Sequence, residues 1–198
     1  LGATLESTHP EDPKAWSLSG DLLYHANRPA EALEKYRRCI SLNPKVFSVW
    51  DNALTILQDQ KNYPDMLKLG EQAMDAFPNQ PRAYYYYAVA ATELGKPDDA
   101  LSQLDQAVLM TAANPALALD IADAAGLALC RKKDYPAAIA RFEQALPKGG
   151  DKHPGLLEHY GDALSLAGQR DRAIEQWKKA AAIRRSPGLE RKIADGKM

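Results

Sequence analysis

The stretch Ala32-Leu33-Glu34-Lys35-Tyr36-Arg37-Arg38-Cys39, closed by Asn43-Pro44, decides the fold. Ala32, Tyr36 and Cys39 fall on one face of a helix, and the step into Pro44 ends it because the residue before a proline is pushed out of the helical region. The same face returns as Ala138, Phe142 and Ala145, and again as Ala173, Trp177 and Ala180. Working outward, Trp16 and Trp50 stand 34 residues apart, and Pro44 and Pro78 stand 34 apart in the same phase. A fixed period of that size marks stacked supersecondary units.

With position 1 set at Pro13, Phe47, Pro81, Leu119 and Pro154, the chain divides into units 13–46, 47–80, 81–118, 119–153 and 154–186. On these residues it resembles the tetratricopeptide family, whose pattern puts an aromatic at position 4, a small residue at 8, Ala at 20, an aromatic at 24, Ala at 27 and Pro at 32. The first unit matches with Trp16, Gly20, Ala32, Tyr36, Cys39 and Pro44. The second keeps Trp50, Ala73 and Pro78 but carries Leu54, Met66 and Gly70 at the other positions. The third supplies Tyr84, Ala88, Ala100, Leu104 and Ala107, and the fifth Gly161, Ala173, Trp177 and Ala180. The starts are 34, 34, 38 and 35 apart, so extra residues around Thr111 to Pro115 and Lys148 to Lys152 are expected in turns between units.

The physical reading agrees. Antiparallel helices approach closely where Gly20, Ala88, Gly126 or Gly161 meets Ala32, Ala100, Ala138 or Ala173, and Tyr36, Phe142 and Trp177 are expected to pack against the following unit. Pro29, Pro64, Pro97 and Pro136 suit the first turn of each second helix, where a missing N–H costs nothing. The expectation is ten paired helices and no strand: an all-α, right-handed α-solenoid of five helical hairpins. Residues 187–198, with Leu189 and Ile193 at i, i+4 spacing, form a short C-terminal capping helix and tail. Residues 1–12 read as the remnant of an upstream repeat, with Leu5 at position 27 and Pro10 at 32, and the start at Leu1 without Met reads as a fragment whose cut end exposes an apolar face. The fifth unit, from Leu157-Glu158-His159-Tyr160-Gly161-Asp162, is similar to the closing repeats of long bacterial tetratricopeptide proteins. That resemblance implies a bacterial source and a periplasm-facing envelope location, with the cytoplasm as the alternative.

Of the residues, 45% are hydrophobic and 26% charged, with a net charge of -1, which fits neither a nucleic-acid binder nor a disordered acidic tail. The apolar stretches Ala83–Ala91 and Ala116–Cys130 are too short, or too broken by Asp120 and Asp123, to span a bilayer. Cys39 and Cys130 lack CxxC spacing and read as small buried residues. The histidines form neither HExxH nor an i, i+4 pair, and His153 and His159, six apart, are expected on different sides of their helix. Gly149-Gly150 has no phosphate-loop context, and no GxSxG occurs. Neither catalytic residues, nor a metal site, nor a cofactor is expected.

What remains is the inner face, lined in this family by first-helix positions 2, 5, 9, 12 and 13. It holds Asp21, Tyr24, Asp51, Thr55, Arg82, Tyr85, Asp120, Asp123, Glu158 and Asp162 as candidate binding residues. Asp59 and Glu93 bring the carboxylates to eight, against Lys14, Arg82 and Arg131, so an acidic groove for a Lys- or Arg-containing peptide is expected. In the run Tyr84-Tyr85-Tyr86-Tyr87, Tyr84 and Tyr87 are expected in the core, Tyr85 in the groove and Tyr86 at its edge. The family's clamp for an acidic C-terminus matches only at Asn52 and Arg82; Ser17, Asp21 and Tyr86 occupy its other positions, and Asp21 would repel a carboxylate. The functional expectation is a non-enzymatic protein-interaction scaffold, monomeric or weakly dimeric. The alternatives are the regulatory or substrate-recruiting array of a larger enzyme, or a self-assembly module.

Overall fold

The computed structural model describes the backbone of residues 2–198 and the side chains of residues 5–198; the expectation placed on Leu1 lies outside them. Within these residues the fold is an all-α helical-repeat solenoid without strands. Its helices are α1 (Gly2–Thr8), α2 (Pro13–His25), α3 (Pro29–Leu42), α4 (Phe47–Asp59), α5 (Tyr63–Ala76), α6 (Pro81–Glu93), α7 (Pro97–Val108), α8 (Pro115–Arg131), α9 (Tyr135–Ala145), α10 (Pro154–Leu166), α11 (Arg170–Ile183) and α12 (Pro187–Asp195). They fall into two compact bodies, one ending at Ala90 and the other starting at Ala91.

Each turn between paired helices uses one device. Position 15 of the frame adopts the left-handed conformation at Asn27, Lys61, Gly95, Lys133 and Gly168, with φ of 57°, 54°, 76°, 62° and 77°. The following amide then reaches back five residues, as Arg28 to Leu23, Asn62 to Leu57, Lys96 to Ala91, Asp134 to Leu129 and Gln169 to Leu164, at 2.8–3.0 Å. This closure satisfies carbonyls that the helix end would otherwise orphan. The two glycines and Asn27 are residues that favour this conformation; Lys61 and Lys133 are not.

In the N-terminal body a second device ties successive hairpins. The indole N–H groups of Trp16 and Trp50 donate to the carbonyls of Pro10 and Pro44 at 2.8 and 3.0 Å, and the Tyr84 hydroxyl donates to that of Pro78 at 2.9 Å. Each bond spans six residues, so the position-4 aromatic is anchored on the proline that ended the helix before it. Inside the first hairpin, a Cβ on Gly20 would stand 2.5 Å from the Tyr36 ring. The second hairpin exchanges the sizes: Leu54 is fully buried where Gly20 would stand, and Gly70 replaces the aromatic. A Cβ on Gly70 would lie 3.1 Å from the backbone of Tyr87, so the missing side chain admits the backbone of α6. The tyrosine run departs from expectation. Tyr84 is buried and Tyr87 half-buried, but Tyr86, expected at the groove edge, is 1% exposed because its hydroxyl is drawn into polar contacts with α4.

In the C-terminal body, α8 begins at Pro115, capped by the Asn114 side chain on the Leu117 amide at 3.1 Å. The connection from Leu109 to Asn114 is two residues longer than the links 43–46 and 77–80, as a turn insertion predicts, but the residues after Asn114 add a turn of helix at the start of α8, leaving the phase at Lys133 unchanged. The second insertion forms two 3-10 turns, Leu146–Lys148 and Gly150–Lys152, joined through Gly149 at φ 104°. Phe142 and Trp177 are fully buried, and each ring lies over the glycine of its own hairpin, Gly126 and Gly161, where a Cβ would overlap it. Packing against the following unit was expected of these aromatics, and Phe142 does so, meeting Tyr160 of α10 at 5.8 Å between ring centres; both rings also fill the gap within their own helix pair. The short α12 covers the end through buried Leu189 and is capped by Ser186.

Two expected outcomes test this packing. Trp177→Ala costs about 3–5 kcal/mol in denaturant unfolding, as deletion of a fully buried aromatic does, and a loss below about 1 kcal/mol would show the ring not to be core. Gly126→Ala costs about 1–3 kcal/mol, because the ring it meets is itself enclosed and cannot yield, and adding Phe142→Leu recovers part of the loss.

Candidate functional site

The first helix of each hairpin presents the residues singled out above. In the N-terminal body, α4 and α6 carry one connected cluster. Arg82 Nε donates to Asp51 Oδ1 at 2.6 Å, the Tyr86 hydroxyl donates to the same oxygen at 3.0 Å, and Thr55 Oγ1 lies 2.8 Å from the Tyr86 hydroxyl. Arg82 also donates to that hydroxyl and lies over the Tyr86 ring, 5.3 Å from its centre. Burial and the Asp51 charge push the Tyr86 phenol up to about 12. Burial works against the Arg82 charge, but Tyr86 and Asp51 outweigh it and hold the guanidinium above its ordinary value. Beside this cluster, Gln58 Nε2 donates to the Tyr85 hydroxyl at 3.3 Å. Asp21 accepts from the Tyr36 hydroxyl at 2.7 Å, and Tyr24 stands exposed with its ring edge-on to His25.

In the C-terminal body the carboxylates are answered by bases. Asp123 Oδ1 lies 2.8 Å from His159 Nδ1, and Asp120 Oδ1 lies 3.3 Å from His153 Nε2. Both histidines thus reach α8, contrary to the expectation of opposite sides. His153 precedes α10 as its cap, with Nδ1 accepting from the Leu156 amide at 3.0 Å, so helical angles do not govern it. Arg131 Nη2 donates to Glu93 at 2.8 Å. Lys192 of α12 donates to Glu158 at 2.9 Å and to both oxygens of Asp162 at 2.8 Å, while Trp177 Nε1 donates to Asp162 Oδ1 at 3.0 Å. Burial alone would lower the Lys192 pKa, but its bonds to Asp162 and Glu158 raise it above the ordinary value. Burial and the charges of Asp162 and Asp123 push the half-buried Cys130 thiol up to about 11, while Cys39 is fully enclosed.

The structure therefore brings Asp51, Thr55 and Arg82 into one patch, with Tyr85 at its margin. Asp120, Asp123, Glu158 and Asp162 lie in the other body as members of base pairs. The count of eight carboxylates against three cations omitted Lys192, which brings the cations to four, and the bases His153 and His159, which lie against Asp120 and Asp123. Lys192 had a signal: it stands 34 residues after Glu158, one repeat further on. The two clamp-like residues are engaged as well, Arg82 with Asp51 and Asn52 with the Tyr36 hydroxyl at 3.5 Å. Among the described residues no group of three or more His, Cys, Asp or Glu could hold a metal ion, and no helix is long and apolar enough to cross a membrane.

One tetratricopeptide repeat model matches residues 13–46 and a second matches residues 55–118. The chain belongs to the tetratricopeptide repeat family. No curated protein matches this tetratricopeptide chain significantly by sequence. Solved structures similar to it include YrrB, described as a TPR protein with an unusual peptide-binding site, with a TM-score of 0.66, 18% identity, and 98% of this chain and 97% of that one covered. PilW, a type IV pilus biogenesis factor, has a TM-score of 0.78 at 16% identity, covering 93% and 85%. TTC0263, a thermophilic TPR protein of Thermus thermophilus, has a TM-score of 0.73 at 20% identity, covering 93% and 98%. At these identities the likeness is one of tetratricopeptide fold.

The His159 pair generates a pH dependence. Burial opposes the imidazolium, but the Asp123 hydrogen bond and the charges of Asp123, Asp162 and Glu158 raise its pKa above the ordinary value. A folded pKa above the unfolded one means the stabilisation is full at pH below the unfolded value and is lost as pH rises through the folded one. The melting temperature should therefore fall as pH rises above about 6.5, and His159→Gln should flatten that slope.

Proposed function

We propose that the chain is a non-enzymatic interaction scaffold whose exposed first-helix face holds a peptide or protein segment carrying Lys or Arg. The α4–α6 patch carries this reading. Asp51, Thr55, Arg82 and Tyr86 hold one another in place, yet the side chains of Asp51 and Arg82 remain 28% and 42% exposed. Polar groups already fixed in position lose little freedom on binding, so contacts to a peptide backbone there are less opposed by entropy. Tyr85 borders the patch, and Tyr24 stands exposed on α2, as amphipathic anchors of the kind enriched at interfaces. The peptide-binding site named for YrrB supports a peptide as the ligand class.

The electrostatic part of the reading is local. Six of the eight carboxylates lie against a basic side chain of their own body, so attraction for a basic segment falls to Asp21 and Asp59 in the N-terminal body, with Arg82 available to a ligand carbonyl. Selection from a display library of random peptides, followed by fluorescence anisotropy, tests it. The selected peptides should carry Lys or Arg and bind more weakly as salt increases. Tyr85→Ala should weaken them by about ten-fold or more while the melting temperature holds. Selection of no peptide, or of peptides indifferent to Tyr85→Ala, refutes the reading.

A further inference from the structure

Among the eight first-helix carboxylates, seven have partners: Asp21 with Tyr36, Asp51 with Arg82, Glu93 with Arg131, Asp120 with His153, Asp123 with His159, and Glu158 and Asp162 with Lys192. Asp59 has none among the described residues. It is exposed, and lines an open concavity of about 560 Å3 with Tyr24, His25, Asn27, Pro29, Ile56 and Gln60. The pocket lies where the ends of α2 and α4 meet the start of α3. A nearby cation, Arg28, is already held by Glu31 through two 2.6 Å bonds.

The position of Asp59 is informative in a second way. It is the last residue of α4, at the negative end of the helix dipole, where a carboxylate without a cation opposes stability. A cationic ligand there would relieve that opposition and would displace no partner of Asp59. The surroundings narrow the ligand. The Tyr24 and His25 rings, 6.2 Å apart at 68°, offer π faces, Ile56 and Pro29 offer an apolar floor for a methylene stem, and the Gln60 amide offers a further acceptor. A guanidinium is planar, donates two parallel bonds to a carboxylate and stacks on aromatic rings, whereas an ammonium is a compact, strongly hydrated point charge.

We propose that this pocket is an arginine subsite, in which Asp59 receives the guanidinium and Tyr24 stacks on it. The proposal rests on the peptide-scaffold reading and assigns it one anchor. Proton–nitrogen NMR of the whole chain, titrated with N-acetyl-arginine amide, tests it. Saturating shifts are expected at Tyr24–Asn27 and at Asp59–Gln60. N-acetyl-citrulline amide, of the same shape but uncharged, should bind about ten-fold or more weakly, as should N-acetyl-arginine amide to Asp59→Asn. Asp59→Asn should melt no lower than the parent, which excludes unfolding as the cause of the loss. Equal shifts in Asp59→Asn, or shifts spread over all surface carboxylates, overturn the subsite. If arginine fails here while Tyr85-dependent peptides are still selected, the subsite falls and the scaffold stands. If arginine binds here and no peptide is selected, the scaffold reading falls instead.

Discussion

Close approach of paired helices over a glycine is the constraint on which the hairpins depend. Gly20, Gly126 and Gly161 leave just enough room for Tyr36, Phe142 and Trp177, and a single added carbon would overlap the ring. An aromatic over a glycine buries much apolar surface while letting the helix axes come together. Once that gap is closed, the polar tips of the same rings are placed: Tyr36 and Trp177 each donate to the carboxylate fifteen residues earlier, Asp21 and Asp162. The second hairpin shows that size balance matters more than residue type, since Leu54 and Gly70 exchange roles and the pair still closes.

The first-helix faces obey a different rule. Where first helices meet, the base comes from the helix later in the chain: Arg82 answers Asp51, His159 answers Asp123, and Lys192 answers Glu158 and Asp162. Partly buried charges are tolerated when paired and hydrogen-bonded. On a face dense in carboxylates, most of them are therefore already engaged by a neighbouring side chain. What is left for a ligand is the preorganised edge of the pairs and whatever charge they leave unanswered.

Much of the architecture was legible because it is written in spacing. The 34-residue step between Trp16 and Trp50 and the prolines at helix starts need no tertiary knowledge. The left-handed turn residue was legible at Gly95 and Gly168 but not at Lys61 or Lys133, whose side chains resist that conformation. The four residues beginning at Pro115 could lie in a turn or extend a helix equally well by periodicity; Asn114 as a cap settles them as helix. The candidate face was only partly legible. Position numbers place Asp51, Asp123 and Asp162 on first helices, but they carry no record of partners 31, 36 and 30 residues away.

The sequence by itself determined the repeat, its phase and the helix pairing, because the period of small and apolar side chains acts over short distances along the chain. Only the tertiary structure decided which charges cancel, that Tyr86 lies inside and that Asp59 stands without a partner. Those outcomes depend on distances between helices a whole repeat apart, where an ångström separates a hydrogen bond from a solvated charge.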